Sequence, residues 1–458
     1  MLRFMPLFPF IARKPAEDGH GEDSNSEFSY HSSIRGTHDG AEDRHFASYC
    51  PVSLARSDAA IYASSLMALG NGWAPLELAG IEGGPRKHFE QGVTPGDVGY
   101  LSKSGGFNYL FNIFSAKDDP MQTKNVPRNF VPMVPPLAEW EIKKVPNHFA
   151  PHTVIVSEGI QFNQTSDSPW EIAFSSSARE GAVVVLPTGA SREDLADTSK
   201  LHSYLKEHAV DWYQSLNLYS GSENILPSPP GMNGTLFIVT GCDRATSCAT
   251  VVFPATPAEA GMLHTFRYND AADYPWFRPA PAPSSTVVSE SRQPGSHYSI
   301  FIRGITIALG TASWTRHLPH IPEEEIPVYD VLAKPLFEPQ DRLGKLLERL
   351  KGLDKLFYPV KRDKIMFHPA MALIQVMIEC SPSADVAIVD DSSWCPLLNG
   401  RNLTHPEIVE LLHKVIHDHD LSVADGLATL MKKPEQSQSL VCGLRGVVGI
   451  LLLILTLR

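Results

Sequence analysis

The residues best placed to do chemistry stand near the end of the chain: His413, His417 and His419, with Asp418 and Asp420 beside them. On a helix over 405–419, His413 and His417 are four residues apart, so both rings project from one side and could reach one metal ion. The neighbouring carboxylates could orient or complete such a site. Against it, the apolar stripe of this helix runs through Ile408, Leu411, Leu412, Val415 and Ile416, and the histidines fall outside that stripe. A solvated face is therefore the expectation, and the metal site the candidate.

A second pair, Asp390 and Asp391, follows the apolar run ADVAIV. Ligands of α/β units bind beyond the carboxyl ends of strands, where two carboxylates could hold a divalent cation or exchange protons. The plainer reading is a turn in which aspartate accepts backbone hydrogen bonds, with Trp394 packed beneath it.

No other chemistry is spelled out. The chain has no GxSxG nucleophile elbow, no GxxxxGK[ST] and no GxGxxG between a strand and a helix, so no cofactor is expected. Ser175, Ser176, Ser177 and Ser313 read as strand-end and turn residues. A net charge of −12 speaks against a nucleic-acid surface, which needs clustered Lys and Arg. The six cysteines form no CxxC and no disulfide framework, which favours a reducing, cytoplasmic setting. Cys242 and Cys248 flank an expected turn; they could meet, but free buried thiols are the simpler reading.

The elements that must position these residues follow from periodicity. Residues 13–50 are polar and read as disordered. A helix is expected over about 58–69, capped by Ser57 and ended by Gly70. From 73 to 315 the signals are strands: PGDVGYL and FNYLFNIF around KSGG, HTVIVSEGIQF, PWEIAFSSS, EGAVVVLP, GTLFIVTG and TSCATVVF around a turn at CDRA, HTFRY and HYSIFIRGITIAL. EGAVVVLP is a continuous apolar run, as in a strand buried on both faces. Proline-rich stretches at 126–136 and 275–294 read as surface loops. One helix interrupts the strands: GASREDL opens it with Ser191 and Asp194 in capping-box spacing, and Leu201, Leu205, Ala209 and Trp212 form its stripe. After 319 come expected helices at 341–353, 368–380, 405–419 and 420–433, with a strand at 384–391. The basic amphipathic helix at 341–357 reads as a domain's outer layer.

At 458 residues, two domains are the prior. The expected layout is a disordered segment at 1–51, a β-rich body at 52–318, a small α/β domain at 319–433 and an apolar tail at 434–458. The tail's run from 446 to 457 is short of the ~20 residues that span a bilayer, so membrane attachment is not the expectation.

Taken in order, PGDVGYL, GGFNYLFNIF, SAREGAVVVLPTGASREDL, GTLFIVTGCDRA, FIRGITIAL and HPAMALIQVMI–ADVAIVDDSSW resemble an expanded family of uncharacterised proteins of mushroom-forming (basidiomycete) fungi. The resemblance spans roughly residues 68 to 430. It implies no activity and no catalytic residue. Family members tend to carry a histidine where Asp390 stands, which counts against a carboxylate pair. The apolar tail is foreign to the pattern, as a mispredicted final exon would be.

These readings converge on an α+β protein: a β-rich sandwich or partly closed barrel body with a packed helix, followed by a small α/β domain. The leading functional expectation is a non-catalytic intracellular module binding a protein or small molecule, with neither nucleic acid nor membrane as partner. The alternatives are a metal-dependent or hydrolytic enzyme centred on the C-terminal α/β unit, and a tail-attached membrane protein.

Overall fold

The computed structural model describes residues 57–77, 85–102, 104–165, 168–176, 178, 180–219, 233–253, 263–269, 276–279, 286–291, 297–319, 368–401, 403 and 405–434. All fall within one compact unit, 54–458. The expected disordered segment at 1–51, the helix at 341–353 and the apolar run at 446–457 lie outside the described residues.

Helix α1 (Asp58–Met67) starts where the Ser57 hydroxyl accepts the Ala60 N–H, and the chain leaves it through Gly70 at φ 77°. A short α2 (Arg86–Gln91) follows. Strands β1 (Asp97–Leu101) and β2 (Phe107–Asn112) then form the expected hairpin.

The strands between 142 and 309 make four antiparallel passes, each giving one strand to each of three sheets. The first pass is β3 (Ile142–Phe149), β4 (Thr153–Val156) and β5 (Ile160–Thr165); the second is β6 (Ser168–Ser176), β7 (Gly181–Leu186) and β8 (Ala190–Leu195). Helix α3 (Ser199–Tyr219) intervenes. The third pass is β9 (Leu236–Ala245), β10 (Ser247–Phe253) and β11 (Leu263–Asn269); the fourth is β12 (Trp276–Pro279), β13 (Thr286–Ser291) and β14 (Tyr298–Leu309). Pairing runs pass to pass at every level: β3–β8–β9–β14, β4–β7–β10–β13 and β5–β6–β11–β12. One meander thus supplies part of a nine-stranded main sheet and two four-stranded sheets. Two of the junctions turn through a left-handed glycine, Gly159 (φ 76°) between β4 and β5 and Gly189 (φ 75°) between β7 and β8.

Alternation decides which layer each strand serves. In β7, Ala182, Val184 and Leu186 enter the main core, whereas Val183 and Val185 pack with Ile172 and Phe174 of the outer sheet. Both faces are buried, which is why EGAVVVLP carries no polar alternation. The two smaller sheets are therefore a sandwich, and no sheet closes into a barrel.

After α4 (Thr311–His317), helix α5 (Pro369–Cys380) and β15 (Val386–Asp390) appear as expected. Helix α6 (His405–Asp418) leads into β16 (His419–Ala424) and β17 (Leu427–Lys432). The main sheet runs β16-β17-β15-β14-β9-β1-β2, with β8 on the far half of β9 and β3 beyond it. Leu201, Leu205 and Trp212 of α3 and Trp314 of α4 cover one face; α1, α5 and α6 cover the other. The protein is an α+β, β-rich fold. Among the described residues no helix is long and apolar enough to cross a membrane.

Four expectations change. ASREDL is a strand, not a capped helix start: Arg192 pairs with Asp243 across β8 and β9, and Asp197 instead accepts the Ser199 N–H at the start of α3. Residues 420–433 are a hairpin, not a helix. Asp425 and Gly426, at φ 51° and 81°, form the kind of left-handed turn that matches strand twist. CDRA lies inside β9, and β10 belongs to a different sheet, so no hairpin turn forms there and Cys242 and Cys248 are both free. The segment 275–294 holds β12 and β13 rather than being one loop. The C-terminal strands also extend the body's sheet instead of forming a sheet of their own: β15 pairs with β14 from Leu309↔Val386 to Ile305↔Asp390.

Candidate functional site

Asp390 and Asp391 sit where β15 ends, and the pleat sends them apart. An extended strand points successive side chains to opposite faces. Asp390, half-buried on the α3 side, accepts the Thr198 hydroxyl at 2.9 Å and the Ser392 N–H at 2.8 Å. It thereby ties the start of α3 to the sheet and caps the short turn 391–393. Asp391 is fully buried and accepts the Gly304 N–H at 2.9 Å and the Trp394 Nε1–H at 3.0 Å. Trp394 is itself fully buried, as its place beneath the turn required. The two carboxylates do not converge on one ion.

Sequence reasoning missed the neighbour of Asp391. His368, just before α5, is 1% exposed, and its ring meets Phe237 and Trp394 edge-to-face at 5.6 and 5.1 Å. Its Nε2 lies 3.6 Å from Asp391 Oδ1, beyond hydrogen-bond range, and among the described residues neither ring nitrogen has a hydrogen-bond partner. Burial pushes His368 down to about 3 and pushes the Asp391 carboxyl up, so a neutral ring faces a carboxyl that resists ionising.

This arrangement predicts an acid-side signature. The unfolded chain protonates His368 below about pH 6.5, while the folded chain resists until about 3, so stability falls as pH drops through that window. Asp391 acts with the opposite sign, its burial costing most at neutral pH. The stability of His368→Phe relative to the natural chain should therefore rise on acidification, by about 2 kcal/mol between pH 7 and pH 5. Urea unfolding at the two pH values reads this directly; parallel shifts of both chains would contradict it.

The larger polar cluster lies across β8, β9 and β14. Register places Arg192 opposite Asp243, and sets Asp194 and Arg303 on either side of Gly241. Gly241 has no side chain, so Asp194 and Arg303 close over it: a Cβ there would stand 1.9 Å from Asp194 Oδ1. Arg303 Nε meets Asp194 at 2.8 Å and its Nη2 meets Asp243 at 3.1 Å. Arg192 grips fully buried Asp243 through two bonds of 2.7 and 2.8 Å. Asn71 adds its side-chain oxygen to Arg192 and its backbone oxygen to Arg303. Two guanidinium groups thus balance two carboxylates. The signal available in the sequence was charge inside otherwise apolar strands: SRED, CDRA and FIRG.

The histidines of α6 scatter. His413 is exposed, His417 Nδ1 contacts the adjacent Asp418 at 2.8 Å, and His419 Nδ1 meets the Val415 carbonyl at 3.0 Å. Among the described residues no group of three His, Cys, Asp or Glu side chains could hold a metal ion. The stripe of α6 is buried at Ile408, Leu411, Leu412 and Val415, but Ile416 is 39% exposed.

Fold and polar clusters together define an α+β protein whose internal charges serve its own framework. No family model and no curated protein sequence matches this chain.

Proposed function

We propose that the protein is a non-catalytic intracellular module that binds a protein or a small molecule. The observation that supports this most is how the candidate groups are used. Asp390, Asp391, Asp194, Asp243, Arg192 and Arg303 each spend polar atoms on backbone, on one another or on the neighbouring side chains of Thr198, Trp394 and Asn71. A catalytic carboxylate needs a lone pair or proton aimed at a substrate instead. The buried free thiols Cys242, Cys248 and Cys395 fit a reducing compartment such as the cytoplasm. Among the described residues the exposed apolar side chains Leu421 and Val423 stand on one face of β16, as on a contact surface.

The test is metal dependence. The purified full chain should carry no stoichiometric zinc, manganese or iron, and a chelator should leave its melting temperature unchanged, because a bound metal would raise it by mass action. One equivalent of metal that is lost in the double variant His413→Ala, His417→Ala would overturn this reading in favour of a metal-dependent enzyme.

A further inference from the structure

Among the described residues the main sheet ends in three strand edges, β2, β3 and β16, and two of them are guarded. At β2 the Gln122 side chain caps the Asn112 N–H at 2.9 Å and the Asn112 carbonyl at 2.8 Å, while the Thr123 hydroxyl takes the Leu110 carbonyl. Just past β2, the Met133 N–H bonds the Ile113 carbonyl. At β3 the exposed residues are Lys143, Lys144, Pro146 and Asn147, which include two charges and a residue with no N–H to offer. These are the usual devices against edge-to-edge association.

Strand β16, HDLSVA, has no proline and is guarded by a single charge. Among the described residues no strand lies beyond it, and its one formal charge is Asp420. Leu421 and Val423 stand 37% and 42% exposed on the face they share with Leu430 and Ala428 of β17, which pack into the main core. The core layer therefore reaches the sheet's rim and stays half-wet there. Ile416, at the end of α6, adds to the same rim region.

We propose that β16 is a self-association edge that takes the β16 strand of a second copy of this chain, antiparallel about a two-fold axis. The strand's own pattern carries this choice of partner. In an antiparallel pair, residues directly opposite share a face, so a two-fold must pass through one residue of the strand. Centred on Ser422, it sets Leu421 against the partner subunit's Val423, and Asp420 against the partner subunit's Ala424. Apolar meets apolar on one face, and the lone carboxylate never meets its own copy. A centre on Leu421 would instead set Val423 against the partner subunit's His419, and a centre on Asp420 would oppose the two carboxylates. Main-chain hydrogen bonds supply the adhesion and the alternate side chains the register. This assignment does not depend on whether the chain is catalytic.

Sedimentation equilibrium of the full chain tests it. The natural chain is expected to associate to twice its monomer mass. Leu421→Lys should weaken that association about tenfold or more, as burying an unpaired charge at the centre of a contact does. Val134→Lys, at a residue 74% exposed elsewhere, should leave association unchanged, and both variants should melt like the natural chain at dilutions where it is monomeric. Register is read by cysteine: Ser422→Cys should form an intermolecular disulfide on mild oxidation, and Ala424→Cys should not. A chain that stays monomeric at all concentrations, with the edge covered by its own residues 435–458 or by a different partner, would overturn the proposal. So would a dimer indifferent to Leu421→Lys.

Discussion

Replacing Asp243 by alanine is expected to destabilise the protein by about 3–5 kcal/mol, the range seen when one partner of a buried ion network is removed. Asp243 is fully buried and is the only carboxylate among the described residues that contacts both Arg192 and Arg303. Without it Arg192 keeps only the side-chain oxygen of Asn71, at 3.1 Å, and Arg303 depends on Asp194 alone for charge. The loss is that of stranding two guanidinium groups in a place water reaches poorly, not the net worth of the cluster. Asp243→Asn keeps the shape and one acceptor oxygen, so it should fall between alanine and the natural residue. Glu90→Ala supplies the contrast: its pair with Arg86 is solvent-exposed, and its loss should cost about 0–1 kcal/mol. Denaturant midpoints for the three variants, read at unchanged slope, check the order. Equal effects for Asp243→Ala and Glu90→Ala would mean that the cluster is wet and dispensable.

Trp212→Ala should cost a similar ~3–5 kcal/mol, for a different reason. Trp212 is 2% exposed and locks α3 onto the main sheet, its ring edge-on to Phe111 at 5.2 Å and beside Tyr204 at 5.9 Å. Truncation removes the transfer energy of the indole and leaves a void, because a sheet on one side and a long helix on the other cannot both collapse into it. Glu207 lies on the exposed side of the same helix, and Glu207→Ala should change stability by about 0.5 kcal/mol or less. Thermal or urea unfolding of the pair distinguishes the two faces. A Trp212→Ala variant as stable as the natural chain would mean that α3 is not docked by this stripe.

Elements whose periodicity is intrinsic are legible in the chain alone. The stripe of α3 from Leu201 to Trp212, the cap at Ser57, the β1–β2 hairpin and the doubly buried β7 follow from apolar spacing and local hydrogen bonding, which a one-dimensional string records. Asp425–Gly426 was equally legible as a hairpin turn. Over 420–433 the apolar residues also fit a helix, and only the left-handed backbone of the pair separates the two readings. ASREDL failed for the opposite reason. Its acceptors suit a helix start locally, but Arg192 and Asp194 find stronger partners fifty and more residues away, and tertiary pairing overrides a cap worth about 1 kcal/mol.

Which distant residues share a row follows instead from the packing of whole strands. Asp194, Gly241 and Arg303 become neighbours through the register of three strands, and His368 meets Asp391 through the docking of α5 on the sheet. No spacing in the chain encodes those contacts, because strand register is fixed by the alternation of whole passes and not by any single residue. The same is true of the β16 rim. Local spacing fits HDLSVA to helices, and it becomes an edge strand only because β17 pairs β15 on its other side and leaves β16 outermost among the described strands.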